Sequence, residues 1–369
     1  MLNILVTAAG SPGFITVCKA LKSSHFKKQG IVIHGCDLNQ DAIGLNFADK
    51  IFKVPSGKSE NYIDIILDYV SSNKIDVIIP CSDEELIPLS KNIKKIESLK
   101  CKVLVSPESS LDIVLDKEKL YRKIESLEDQ VLKNIVPSYS TCQNFDDFIK
   151  AYKILMTLGH TVCVKPAVTH GSRGFRVITK TITQEQFFNQ KPDPRKITYE
   201  EITKILKQNN GKFPELLVMQ YLSGPEYSVD CLRDGKAFFC VPRKREVIKE
   251  GICTSGTAEL NKELIEISRK IYDELNLKYN VNIQFKYDAL GNPKILEINP
   301  RLSGTLELCR GAGINFVEIG VNNLLGIKNK SRKKIKWGTK MTRVWQEVFF
   351  DKDKIFTLNN INRIIPKKG

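Results

Sequence analysis

The sequence has no run approaching the ~20 apolar residues that a membrane-spanning helix requires, no Cys-x-x-Cys pair, no histidine cluster and no internal repeat. The first absence excludes a transmembrane class. The missing metal-ligand spacing leaves Cys18, Cys36, Cys81, Cys101, Cys142, Cys163, Cys231, Cys240, Cys253 and Cys309 scattered, which favours buried free thiols in a reducing cytoplasmic compartment over disulfides or zinc. A basic arm interleaved with aromatic residues is also lacking. The formal charge of +15 comes from lysines spread along the chain, densest from Lys328 to Lys336. That pattern argues against nucleic-acid binding and fits attraction to anionic metabolites such as nucleotides. A lysine-biased genome accounts for it equally well. The apolar opening Leu2 to Ala9 has no basic flank and runs into a glycine turn, so it reads as a first strand and not as a secretory leader.

What is present suits two or three packed lobes of an α/β protein: 369 residues, 42% hydrophobic and 27% charged. Up to about residue 110, short β-rich runs alternate with amphipathic stretches, the signature of a parallel sheet covered by helices. Strands are expected at Asn3 to Thr7, Ile31 to Cys36, Ile51 to Lys53, Val77 to Pro80 and Lys102 to Val105. The turn Ala9-Gly10-Ser11-Pro12-Gly13, with Asp37 ending the second strand, invites a dinucleotide reading. Its third glycine is missing, so a structural or substrate-facing turn stands beside that reading. A helical segment follows from Leu111 to Leu132, then a second mixed region to about Gly326. The insert Gln190 to Pro214 reads as a surface excursion. The basic end carries Trp337 and Trp345 and is expected to pack as a small appendage.

The chemistry concentrates in Asn282-Ile283-Gln284-Phe285-Lys286-Tyr287 and Lys294-Ile295-Leu296-Glu297-Ile298-Asn299-Pro300-Arg301, joined through Gly291-Asn292-Pro293. Both halves look like strands of a hairpin. Residues two apart share a face, so Glu297 and Asn299 project together. Symmetry about positions 290 and 291 sets Gln284 across from Glu297 and Asn282 across from Asn299, with opposed Cβ atoms about 5 Å apart. One face then presents oxygen ligands suited to Mg2+, which completes its shell with phosphate and water. Arg301, just past the strand, offers a planar fork to phosphate or carboxylate. A plain surface hairpin is the bland alternative.

These residues resemble the metal-binding hairpin of ATP-grasp enzymes, and the glutamine at Gln284 resembles the carbamoyl phosphate synthetase large subunit in particular. Upstream, the β run Thr161 to Pro166 with Lys165, followed by Thr169-His170-Gly171-Ser172-Arg173-Gly174 and a strand from Phe175 to Thr179, is similar to the family's strand-lysine-glycine-loop lid. Asp116-Lys117 resembles its Asp-Lys element, and Leu216 to Leu222 with Ser223 to Asp230 its hinge strand. The resemblance covers most of the chain to about residue 326. It implies an N-terminal Rossmann-like parallel-sheet (pre-ATP-grasp) domain over 1–110, then an ATP-grasp fold of two α+β subdomains over 111–326, with the lid at about 137–222 and an appendage at 327–369. It implies ATP and Mg2+ as cofactors, two ions with Mn2+ able to substitute. Gln284, Glu297 and Asn299 would hold metal, and Lys117, Lys165 and Arg301 would neutralise phosphate. Gly171, Ser172 and Gly174 would approach phosphate; the backbone at Tyr221 and Leu222 would bind adenine. Glu226 would accept from ribose, and Gln220 stands where relatives often have glutamate. In Pro242-Arg243-Lys244-Arg245, with Gly251 and Thr254-Ser255-Gly256 beyond, Arg245 would hold a substrate carboxylate or the transferred phosphoryl group. Ser303-Gly304-Thr305 and Gly311 to Ile314 would shape the pocket.

The implied activity is that of a carboxylate-amine ligase working through an acyl phosphate, with small-molecule carboxylate and amine partners and a homodimer as the prior assembly. Three rivals are activation of bicarbonate in the manner of carbamoyl phosphate synthetase, a non-catalytic ATP-binding regulator and a Rossmann oxidoreductase.

Overall fold

The structure, a computed structural model, describes residues 1–168, 174–181, 183, 188, 193–249, 251–329, 334–344, 347–351 and 354–356. Five apolar runs form the first sheet: β1 (Leu2–Val6), β2 (Ile31–Asp37), β3 (Lys50–Lys53), β4 (Val77–Ile79) and β5 (Lys102–Val103). All pair in parallel, in the order β3-β2-β1-β4-β5, with helices between them. This is the N-terminal parallel sheet expected from sequence. The turn after β1 is closed from within. Asp37 accepts from the Gly10 N–H at 2.7 Å and the Asn39 N–H at 2.8 Å. Its carboxylate braces its own loop, which corrects the reading of Asp37 as a ribose acid. Gly44 lies so close to this turn that a Cβ there would stand 2.0 Å from the Ala9 carbonyl oxygen, so only glycine fits.

The helical segment 111–132 resolves into the helices Glu108–Val114, Lys117–Glu125 and Gln130–Asn134. Asp116 and Asp129 break it, each capping the next helix by accepting from two backbone N–H groups.

A second sheet, ordered β6-β10-β7-β8-β9, comprises β6 (Tyr139–Asn144), β7 (Val162–Pro166), β8 (Arg176–Thr179), β9 (Lys196–Thr198) and β10 (Lys212–Gln220). The surface excursion expected at Gln190 to Pro214 is a correction here. Its described part supplies β9, the helix Tyr199–Leu206 and the start of β10. Thr198 and Glu201 form a reciprocal capping box, and Ile202 and Leu206 are buried on one helix face. The polar composition hid an amphipathic helix.

The third sheet, ordered β15-β14-β11-β12-β13-β16, is antiparallel throughout. It contains β11 (Glu226–Asp234), β12 (Ala237–Lys249), β13 (Ile252–Ala258), β14 (Val281–Tyr287), β15 (Pro293–Asn299) and β16 (Lys340–Thr342). Cys163, Leu217 and Met219 of the second sheet share one buried cluster with Val229, Ile283 and Phe285 of the third, which fixes Lys165 near β15. Within the expected appendage at 327–369, of which Trp345 and most later residues lie outside the described ones, β16 lies along β13, and Trp337 and Met341 pack on the core that joins the first sheet to residues 302–324. Beyond it, β17 (Phe349–Asp351) and β18 (Lys354–Phe356) pair as a hairpin. All ten cysteines are free and buried, and among the described residues no helix is long and apolar enough to cross a membrane.

Candidate active site

The β14–β15 hairpin has the register that turn symmetry predicts, Gln284 opposite Glu297 and Asn282 opposite Asn299. Asp288 ties the turn by accepting from the Leu290 and Asn292 N–H groups, both at 2.9 Å, and Gly291 supplies φ +84°. Below Gln284 the register slips by one residue: Phe285 faces Ile295, and Leu296 stands unpaired. The Leu296 carbonyl, freed from the ladder, accepts from the Tyr121 hydroxyl at 3.0 Å and from Lys165 Nζ at 3.4 Å.

Around this irregularity several elements converge. Asn299 Nδ2 donates to Glu297 Oε1 at 3.3 Å, so the two side chains do share a face. Lys117, placed by the Asp116 cap at the first position of its helix, reaches Glu297 Oε2 at 3.4 Å. Lys165 comes from β7 and also donates to the Tyr121 hydroxyl at 3.2 Å, its ammonium 5.6 Å from that ring. Both lysines are buried. Burial holds the Lys117 and Lys165 ammonium groups below the ordinary lysine range, and the nearby Glu297 carboxylate offsets part of that effect. Tyr121 is a residue that sequence reading missed. Its signal was available, because it lies four residues after Lys117 on one helix face.

Arg301 stands just beyond this cluster, clasped by Asp83 from the first domain through Nε at 2.9 Å and Nη2 at 3.1 Å. Burial would lower its pKa, but the Asp83 carboxylate outweighs that and raises it. The expected free phosphate ligand is thus corrected to a guanidinium engaged across the domain junction, because a largely buried cation needs a counter-charge.

Arg245 is also corrected. Its Nη1 lies 2.7 Å from Glu226 Oε1 and 3.0 Å from Gln284 Oε1, and its Nη2 donates to the Gly251 carbonyl at 2.6 Å. It therefore ties Glu226 to Gln284 and is not free for a substrate carboxylate. Lys286 approaches the other Glu226 oxygen at 3.7 Å and stands 5.4 Å from the Tyr221 ring. Gln284 thus directs its amide oxygen to Arg245, away from the Glu297–Asn299 pair. Gln220 turns inward and accepts from the Ser138 N–H at 2.8 Å, while the Tyr221 N–H donates to Thr161 at 2.6 Å. Leu222 is buried. Gly174 has φ +73° and packs on Pro166; Gly171, Ser172, His170 and Arg173 lie outside the described residues.

Arg243, two residues before Arg245, is buried among Asp230 (2.5 Å), Thr305 (2.5 Å) and Ser303 (2.9 Å). Asn282, opposite Asn299 as expected, donates to Asp230 at 3.0 Å. This network pins the loop after Arg301 to the third sheet. Nothing in the local sequence separates Arg243 from Arg245, since both sit on one strand face.

Among the described residues no group of three or more His, Cys, Asp or Glu side chains could hold a metal unaided. Glu297 and Asn299 offer hard oxygens, a donor set that fits Mg2+ provided phosphate and water complete the shell.

A parallel-sheet domain feeding two α+β lobes, with Lys117 at Glu297 and Lys165 at the neighbouring Leu296 carbonyl of an antiparallel hairpin, is the arrangement of an ATP-grasp domain. The chain carries an ATP-grasp domain and a PylC-like N-terminal domain. Residues 212–347 match the family "ATP-grasp in the biosynthetic pathway with Ter operon", and residues 4–104 match "PylC-like, N-terminal domain". The carbamoyl phosphate synthase large chain of Clostridium acetobutylicum is 23% identical over 339 residues, 88% of this chain but 28% of that protein. This chain therefore spans little more than a quarter of that relative's length. Among solved structures, N5-carboxyaminoimidazole synthetase from Staphylococcus aureus, complexed with ADP, superposes with a TM-score of 0.65 at 15% identity, covering 91% of this chain and 80% of that one. The biotin carboxylase domain of Hydrogenobacter thermophilus 2-oxoglutarate carboxylase, a dimer in complex with MgADP and bicarbonate, gives 0.63 at 17%, covering 92% and 73%.

Proposed function

We propose that this chain is an ATP-dependent carboxylate-amine ligase that forms an acyl phosphate and releases ADP and phosphate. The observation that carries this reading is the convergence of two buried lysines from separate elements on the hairpin, Lys117 at Glu297 and Lys165 at the adjacent Leu296 carbonyl. Phosphoryl transfer needs positioning and charge neutralisation more than covalent help. Two partly desolvated ammonium groups give the triphosphate a stronger partner than water does. Glu297 and Asn299, with Gln284 after a side-chain turn away from Arg245, would hold Mg2+, which when bound would offset phosphate charge. Whether one or two ions bind, and whether Mn2+ substitutes, belongs to the same proposal. Glu226 and the chain at Tyr221 and Leu222 would border the nucleoside, with Gly174 closing the lysine loop. A substrate carboxylate oxygen attacks the γ-phosphorus and the bond to ADP breaks. The amine nitrogen then attacks the acyl carbon, phosphate leaves, and the amine proton passes to solvent. We assign residues 1–110 to the first domain and extend the ATP-grasp unit past 326 to include β16. A homodimer in the cytoplasm is the expected state.

The test is release of ADP and phosphate by the full chain across mixed panels of acids and amines, with mass spectrometry of products. Appearance of AMP in place of ADP would overturn the acyl-phosphate route, and tight ATP binding without turnover on any acceptor would favour a regulator. A second reading, activation of bicarbonate, is favoured by Gln284 and by the carbamoyl phosphate synthase relative; turnover that needs only bicarbonate and ammonia would establish it.

A further inference from the structure

Among the described residues, the arginines that the fold withdraws from solvent have carboxylate partners except two, Arg176, which donates to the Phe175 carbonyl, and Arg343. Arg243 pairs with Asp230, Arg245 with Glu226, Arg301 with Asp83 and Arg233 with Asp273. Arg343 is half-buried, and no described carboxylate lies within 4.0 Å of it. Among the described residues its side chain meets one acceptor, the Gly304 carbonyl, through Nη2. Glu307, the carboxylate whose charge bears on it, has one oxygen, Oε2, held by Arg310 at 2.6 Å, while Oε1 is buried without a described partner. The remaining N–H groups of Arg343 have no described partner and are not sealed from solvent.

Its placement is determined by the fold. β16 lies along β13, Ser255 and Thr342 meet at 3.3 Å, and the Arg343 N–H donates to the Thr254 carbonyl at 2.8 Å. The side chain is thereby directed to the loop that begins at Arg301. Gly304 in that loop packs on Pro12, where a Cβ would come within 3.0 Å, and its carbonyl also faces the Thr16 hydroxyl at 3.5 Å. Arg343 thus reaches the seam between the first domain and the candidate active site. Burial and the neighbouring Arg243 lower its pKa, an effect that a bound anion would reverse.

We propose that Arg343 is a substrate-recognition residue, which binds a second carboxylate of the acid or amine substrate, one that is not itself phosphorylated. The substrate class is then an amino acid or a short dicarboxylic acid. A fork with one N–H committed to Gly304 still has two others for bidentate capture of a carboxylate. This inference rests on the ligase reading for what happens to the ligand, but not for its binding.

The test uses the full chain with Mg-ADP and phenylglyoxal, a reagent for accessible guanidinium groups, with modification of Arg343 followed by peptide mass spectrometry. Probes are the proteinogenic amino acids, succinate, glutarate and adipate, with propionate as the single-carboxylate control. At least one two-carboxylate or amino-acid probe should slow modification of Arg343 about tenfold, equivalent to about 1.4 kcal/mol, and propionate should not. Arg343→Met should lose affinity for that probe while keeping its melting temperature and its affinity for ADP. Equal modification with every probe, or equal protection by propionate, overturns the proposal. Protection without ADP release from ATP leaves Arg343 as a carboxylate site and removes the ligase reading. ADP release without protection does the reverse.

Discussion

A lysine that burial has made less basic is a poor structural cation but a ready partner for an incoming anion, and Lys117 and Lys165 both answer that description. Their lowered pKa values set a sign: as pH rises they lose charge before an ordinary lysine, at about 10.4, would. The kcat/KM for ATP should therefore fall on the alkaline side at lower pH than solvent-exposed lysines titrate, and Lys165→Arg should move that limb upward. An alkaline limb unmoved by that variant would place the titrating group elsewhere. Glu297→Ala should cut ADP release by about a hundredfold or more, the scale of removing one transition-state contact, with the thermal melt unchanged. Glu85 carries a separate pH signature. Burial raises its carboxyl from 4.5 to about 7, and the Thr7 hydroxyl at 2.5 Å only partly offsets this. The folded state binds the extra proton between those values, so stability is full below about 4.5 and declines as pH rises to about 7. The decline amounts to at most about 3 kcal/mol. Urea midpoints at pH 5 and pH 8 should show it, and Glu85→Gln should flatten it.

At the scale of elements, the hairpin was legible because a turn fixes the register of both strands it joins, and Gln284, Glu297 and Asn299 could be aligned by counting outward. The slip at Leu296 was not legible. Ile295 and Leu296 are both apolar, and what selects the bulge is the hydroxyl of Tyr121 and the ammonium of Lys165 from distant segments. The helix Tyr199–Leu206 was hidden for the opposite reason: its flanks are so polar that only two buried side chains, Ile202 and Leu206, mark its apolar face. Asp116 was read as half of a motif, yet it is also the cap that places Lys117. Asp116→Ala should therefore cost about 0.5–2 kcal/mol of stability and also raise the KM for ATP. A loss of stability with an unchanged KM would separate the cap from the site.

At the scale of the molecule, the clasp between Asp83 and Arg301 joins the parallel-sheet domain to the end of β15. Sequence reading named Arg301 but could not pair residues 218 positions apart. For the same reason it left Arg245 and Gln220 facing ligand when each had a protein partner. Asp83→Ala should leave a largely buried guanidinium unmatched and destabilise the fold by about 2–3 kcal/mol, below the full cost of a sealed pair because Arg301 is 21% exposed. Chemical denaturation of this variant beside Asp83→Asn checks it. The sheet order has one more consequence. Residues 2–103 can complete the parallel sheet early in synthesis, but the apolar surface that meets them comes from residues 302–324, and β16 does not reach the edge of β13 until position 340. A growing chain thus carries an open strand margin and an uncovered greasy face until position 340 has left the ribosome, the kind of surface that chaperones cover during translation.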